Sequence, residues 1–216
     1  MEARFPAGFS LILASQSPRR HSLLRELGIP FSVVQSLAEE ILEGAPAAAL
    51  AESNALAKAR GAVLPDWLEP GAFVLGTDTL VTIDGRVMGK PSSAEEAAAM
   101  LASLSGRTHQ VVSGVALIRT GADDASPADG VGGGHTATGC ATTDVTFVEL
   151  RPSQMAAYVD CGEWKGKAGG YAVQGLAGLF VSGIRGEHSN VVGLPLCLLA
   201  RLFRESGFDL VAGQWL

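Results

Sequence analysis

Two adjacent arginines follow a Ser-x-Ser-Pro turn in Ser15-Gln16-Ser17-Pro18-Arg19-Arg20. The turn comes after the apolar run Phe9 to Ala14, which reads as a buried strand, and precedes Leu23, Leu24 and Leu27, the apolar face of a helix. Ser17 suits the N-cap, and Pro18 suits the first helical position, where its missing N–H costs nothing. Unpaired N–H groups of the first turn, at the positive end of the helix dipole, make an anion site. Guanidinium forks match phosphate oxygens two at a time, so Arg19 and Arg20 sharpen that reading. An ordinary capped helix with two solvated arginines has the same sequence. However, two cations at a positive helix end oppose the helix's own stability, which favours an anionic partner.

The second group is Gly76-Thr77-Asp78-Thr79, at the end of a strand-like run. An aspartate there can hold a divalent cation or steer a water, although a turn aspartate capping its neighbours is the plainer alternative. Gly89-Lys90-Pro91 follows after a hairpin signalled by Asp84-Gly85, and a hairpin brings Lys90 back toward Asp78. A third stretch, Gly166 to Gly175, has four glycines in ten residues besides Lys167, Tyr171 and Gln174, which suits a backbone that lets a ligand approach closely. Glu39, Glu40 and Lys58, taken singly, read as solvated charges.

The elements that must position these groups alternate between strand and helix. Strands are expected at 31–34, 72–75, 80–83, 108–119, 141–150 and 179–184, and helices after Ser17 and at 46–64, 93–104, 152–161 and 194–205. Residues 121–139, rich in Gly, Ala, Asp and Thr, read as a surface loop inserted between two strands. The pattern over 1–216 gives a mixed α/β sheet protein, as one domain or two lobes around a cleft, with no repeat and no clear linker.

Composition narrows the function. A formal charge of −6 and a pI near 5.2 disfavour a general nucleic-acid binder. Three scattered cysteines and four scattered histidines make no disulfide framework and no zinc motif, which points to a reducing, cytoplasmic compartment. The apolar runs at 9–14 and 191–199 are too short for a signal peptide or a membrane span.

Read together, ASQSPRR at 14–20, NALAKAR at 54–60, GTDTLV at 76–81 and GKP at 89–91 resemble the Maf family of nucleotide pyrophosphatases. LSGRTHQVVSGVAL at 104–117, TDVTF at 143–147, GKAGGYAVQG at 166–175 and VVGLPL at 191–196 continue the resemblance in order, from about Leu11 to Phe203. The resemblance implies an elongated mixed β-sheet with flanking helices, two lobes around a deep cleft (as in inosine triphosphatases), a Mg²⁺ or Mn²⁺ ion and a homodimer. It also implies hydrolysis of the α–β phosphoanhydride of a nucleoside triphosphate. Carried onto this chain, Ser15, Arg19 and Arg20 hold the triphosphate, Lys58 and Lys90 add charge at the reacting phosphate, and Glu40 ligates the metal. Asp78 either ligates the metal or acts as the base. The 166–175 stretch resembles the branch acting on dTTP and UTP, with the Gln174 amide complementing the N3–H and a carbonyl of the pyrimidine. Rival readings are a hydrolase of other nucleotides (7-methyl-GTP, CTP or ITP) and a non-catalytic nucleotide-binding regulator of division.

Overall fold

A computed structural model describes residues 4–121 and 134–216. Its elements run β1 (Leu11–Leu13), α1 (Pro18–Glu26), β2 (Ser32–Val33), α2 (Ala47–Arg60), β3 (Phe73–Ile83), β4 (Arg86–Met88) and α3 (Ala94–Leu104). They continue with β5 (Thr108–Arg119), β6 (Thr136–Phe147), α4 (Pro152–Cys161), β7 (Val181–Arg185), α5 (His188–Val192), α6 (Leu196–Glu205), β8 (Phe208–Asp209) and β9 (Gln214–Trp215). The main sheet is ordered β2-β1-β3-β5-β6-β7, with β4 also on β3; β1 pairs parallel with β2 and β3, and the other pairs are antiparallel. The mixed α/β expectation holds, and the Asp84-Gly85 hairpin forms with positive φ at both residues, as a two-residue turn of this type requires.

Three expectations change. The strands at 72–75 and 80–83 are one strand, because Gly76 to Thr79 keep pairing with Ala116 to Ser113 of β5. Asp78 therefore sits in the middle of an 11-residue strand rather than at a strand end. Part of the 121–139 stretch is also strand: Thr136 to Gly139 open β6 and pair with Ile118 to Val115. The rest of that stretch, 122–133, lies outside the described residues.

Side chains of β3 alternate between two faces. On one face Phe73 and Leu75 join a core with α1, α6 and Phe208, while Val81 and Ile83 join a second core with α3, α4, Phe147 and Phe180. The two cores sit toward opposite ends of the same long strands. On the other face α2 lies directly over β3 and β5, and Val74 and Leu80 pack against its alanines and Leu50. Glycine makes this approach possible: a Cβ on Gly76 would collide with Ala55 O, and one on Gly114 with Ala51 O. Along its other edge, β3 is covered by β1 only at Phe73 to Leu75 and by β4 only at Val81 to Ile83. Between them the edge opens, and the cleft lies there.

The second core holds a titratable group. His109 is 1% exposed, shares a 2.8 Å hydrogen bond between Nε2 and the Tyr171 hydroxyl, and has no partner at Nδ1 among the described residues. Burial holds its pKa at about 4, well below the usual imidazole range. A base with a depressed native pKa stabilises the fold above its unfolded value of about 6.5 and withdraws that stability as pH falls toward 4. Unfolding free energy is expected to drop by about 2 kcal/mol between pH 7 and 5 on this account. Denaturant titrations of the wild type and of His109→Gln should show the drop shrinking in the variant; equal slopes would remove His109 as its source.

Candidate active site

The open edge of β3 leads into a cleft of about 610 Å³ bounded by the Ser15–Arg20 turn, the 35–40 loop, Lys58 of α2, β3, the Lys90 loop and the 166–171 segment. Ser15, Arg19, Arg20, Glu40, Lys58, Asp78 and Lys90 all line it, as the sequence led us to expect. Gln174 does not. Its side chain is exposed, in a turn that Glu163 holds by accepting from the Leu176 N–H at 2.9 Å, while Tyr171, three residues earlier, faces the cleft. A role for Gln174 in reading the base therefore finds no support in the cleft lining.

Asp78 is 3% exposed, and both of its oxygens are held. Lys58 Nζ donates to Oδ1 at 2.6 Å, and Asn54 Nδ2 donates to Oδ2 at 2.9 Å. Lys58 also donates to Glu40 Oε1 at 2.8 Å, and Lys90 reaches both Glu40 oxygens at 2.9 and 3.1 Å. Asp78, Lys58, Glu40 and Lys90 thus form one continuous chain of ion pairs. These contacts follow from α2 sitting so close to the sheet. Asn54 and Lys58 are four residues apart on one helix face, and that face meets Asp78 because Gly76 and Gly114 have no side chains to hold it off.

Burial alone would raise the Glu40 pKa, but hydrogen bonds and charge from Lys58 and Lys90 outweigh it and hold the carboxyl at about 2. So weak a base is a poor proton acceptor near neutrality, which suits Glu40 to charge and metal binding rather than proton transfer.

Ser17 takes the N-cap position of α1 and Pro18 the first turn, but the Ser17 hydroxyl makes no capping bond. The N-terminal amides of α1 keep their capacity for an anion. Arg20 is 9% exposed and is held by neutral acceptors: Gly193 O at 2.8 Å, Ser15 Oγ at 2.8 Å and Thr79 Oγ1 at 3.1 Å. Burial pulls its pKa down to about 10, with Asp78 opposing, so it stays charged at neutral pH. Thr79 in turn shares a hydrogen bond with Ser113, whose hydroxyl reaches Asn190 O. A polar seam therefore runs between the two cores and fixes Arg20 from several elements. Arg19 is half-buried and makes no hydrogen bond or ion pair among the described residues.

Two residues were missed from sequence. Lys167 lines the cleft, its pKa lowered by burial and by the charge of Arg19. It was legible as a cation in a glycine-rich stretch, but nothing in the sequence showed which way it turned. Asn54 is 1% exposed and contacts Asp78 directly; its i, i+4 spacing to Lys58 was the available signal.

Among the described residues, the charged ones lining the cleft are five cations (Arg19, Arg20, Lys58, Lys90, Lys167) and two anions (Glu40, Asp78), a formal balance of +3 in a chain of net charge −6. Such a cleft concentrates an anion that the rest of the protein repels. No cluster of three or more His, Cys, Asp or Glu able to hold a metal exists among the described residues. The donor set is two carboxylates facing an open cleft, with one ammonium, that of Lys58, already seated between them. That set suits a hard, oxygen-preferring cation completed by phosphate and water, not an all-protein cage. No helix among the described residues is long and apolar enough to cross a membrane.

The chain is similar to known proteins over nearly its whole length. The chain is 48% identical over 202 residues to the dTTP/UTP pyrophosphatase of Moorella thermoacetica, spanning 92% of this chain and 96% of that protein. It is 42% identical over 204 residues to the dTTP/UTP pyrophosphatase of Symbiobacterium thermophilum, spanning 94% and 97%. It is 44% identical over 202 residues to that of Thermococcus gammatolerans, spanning 94% and 99%. Among solved structures, the Ham1 protein of Staphylococcus aureus has a TM-score of 0.36 at 16% identity over 64% of this chain and 71% of that one, too distant a likeness to bear on the fold. A family model described as Maf-like protein matches residues 10–206, almost the whole described fold, and the chain belongs to that family.

Proposed function

We propose that this chain is a nucleoside triphosphate pyrophosphatase that hydrolyses dTTP and UTP to the monophosphate and pyrophosphate. The observation that carries the reading is the buried Asp78 carboxylate, held by Lys58 and Asn54 inside a cleft with a formal balance of +3. A triphosphate brings close to four negative charges, and such a cleft supplies the compensation. The choice of dTTP and UTP rests on the relatives that carry that name.

In this reading Arg19, Arg20, Lys167 and the N-terminus of α1 bind phosphate oxygens and hold the chain of phosphates in line. Glu40 and Asp78 would hold a Mg²⁺ or Mn²⁺ ion together with substrate phosphate. When bound, that ion neutralises charge on the phosphates and on the leaving group. Lys58 holds Asp78 and Glu40 in place, Lys90 holds Glu40, and the two ammoniums are the nearest side-chain donors for oxygens of the reacting phosphate. Asp78 orients the attacking water and accepts its proton as the oxygen bonds to the α-phosphorus and the bond to the bridging oxygen breaks. Gln174 can join the base only if its turn moves inward when nucleotide binds.

The test is pyrophosphate release by purified protein from dTTP, UTP, CTP, GTP, ITP and 7-methyl-GTP, with Mg²⁺ or Mn²⁺ and with EDTA. Release from dTTP and UTP at least roughly 10-fold faster than from the others, abolished by EDTA, is expected. Turnover confined to other bases would overturn the substrate assignment.

A further inference from the structure

We propose that Asn54 is the positioning residue that locks Asp78 and the loop carrying Glu40 into one rigid two-carboxylate unit. The amide is almost fully buried, and every polar atom it carries is used. Its Nδ2 donates to Asp78 Oδ2 at 2.9 Å and to Ile41 O at 2.8 Å, while its Oδ1 accepts the Ile41 N–H at 2.9 Å. Ile41 is the residue after Glu40, so one side chain grips both backbone polar groups beside Glu40 and the free edge of Asp78.

Lys58 joins the two carboxylates to each other, but among the described residues no other side chain bonds both Asp78 and the backbone of the Glu40 loop. The 37–45 segment contains no helix and no strand, and Leu37, Ile41 and Leu42 are exposed rather than packed in a core. Near Glu40 the loop is fastened by the Leu37 N–H to Gly61 O bond at 2.9 Å, the Ala38 N–H to Ser36 Oγ bond at 3.2 Å, the two Asn54–Ile41 bonds and the ion pairs of Glu40 itself. Those ion pairs must rearrange when phosphate or a cation takes the lysines or the carboxylate, whereas the Asn54 clamp has no charged partner among the loop atoms and persists. Asn54 thus fixes which Asp78 oxygen faces Lys58 and the cleft, and keeps Glu40 within reach of the same Lys58 ammonium. An aspartate here is isosteric and still accepts the Ile41 N–H, but it loses both donors and sets a like charge against Asp78.

The inference rests on the pyrophosphatase reading, and its test separates the two. Hydrogen exchange is followed over residues 37–43 and over β3 and β5, beside steady-state hydrolysis of UTP, in the wild type, Asn54→Ala and Asn54→Asp. Exchange at 37–43 should accelerate at least roughly 10-fold in Asn54→Ala while β3 and β5 stay protected. In Asn54→Asp the Ile41 amide should keep most of its protection. In both variants kcat should fall about 10- to 100-fold, the range of a hydrogen bond to a charged group, with KM for UTP changing less than about threefold. Unchanged exchange at 37–43 in Asn54→Ala, exchange rising across β3 and β5 as well, or wild-type kcat in Asn54→Asp would each overturn the assignment. A wild type inactive on every nucleotide would instead defeat the pyrophosphatase reading, while the exchange data would still decide the clamp.

Discussion

Asp78→Asn is expected to abolish pyrophosphate release while leaving the fold and nucleotide binding in place. The substitution keeps the shape of the side chain and an acceptor for Lys58, but removes the charge and the capacity to take a proton. If Asp78 is the base, the loss is about 10²- to 10⁴-fold in kcat. If it also anchors the cation, the metal requirement rises with it, because two carboxylates become one. Steady-state rates across a metal titration separate these contributions: a kcat defect that high metal does not rescue assigns proton transfer, and full rescue assigns ligation. The single oxygen of the new amide can accept from Lys58 or from Asn54 but sets its NH2 against the other donor, so the variant should melt somewhat below the wild type while circular dichroism shows the same fold. An active Asp78→Asn variant would remove Asp78 from the centre of the chemistry.

The second large effect comes from two glycines that touch no substrate. A methyl group on Gly114 would overlap the carbonyl of Ala51, and one on Gly76 the carbonyl of Ala55. The obstacle in each case is helix backbone, which cannot step aside as a flexible side chain can. Gly114→Ala or Gly76→Ala must therefore lift α2 off the sheet, and overpacking of this kind costs about 1–3 kcal/mol or more. The same movement draws Asn54 and Lys58 away from Asp78. Both stability and activity should fall, with kcat down at least roughly 10-fold in whatever fraction remains folded. Differential scanning calorimetry with activity normalised to folded protein checks this. Full activity per folded molecule would show that the close helix approach does not position the site.

Much of the site was legible in the sequence because its residues stand at element boundaries that carry their own signals. The Ser17-Pro18 start and the Arg19-Arg20 pair announce a helix N-terminus facing an anion, and the structure puts all of them at the cleft. Lys90 was placed near Asp78 by a hairpin argument, and Glu40 and Lys58 together link the two. The position of Asp78 within its strand was misread, because Gly76-Thr77-Asp78-Thr79 looks like a turn by composition alone. Only the tertiary fact that α2 needs a bare strip of sheet explains a glycine and an aspartate in mid-strand.

Other features needed three dimensions. Asn54 is a neutral residue in an alanine-rich helix, and although its i, i+4 spacing puts it on the Lys58 face, only the fold shows that this face meets Asp78. Gln174 stood in a suggestive motif, yet the turn pinned by Glu163 carries it outward. Lys58 and Lys90 were read as cations waiting for phosphate, and the structure adds that both already hold carboxylates. Among the described residues, the cleft cations with no acidic partner are Arg19, Arg20 and Lys167, two of them foreseen.

Identification of the products in ¹⁸O-labelled water tests the reaction most directly. UTP is turned over with metal present, and the products are separated and weighed by mass spectrometry. Attack at the α-phosphorus gives UMP carrying one labelled oxygen and unlabelled pyrophosphate. UDP and labelled orthophosphate would place the attack at the γ-phosphorus, and the assignment of this cleft as a pyrophosphatase site would be wrong.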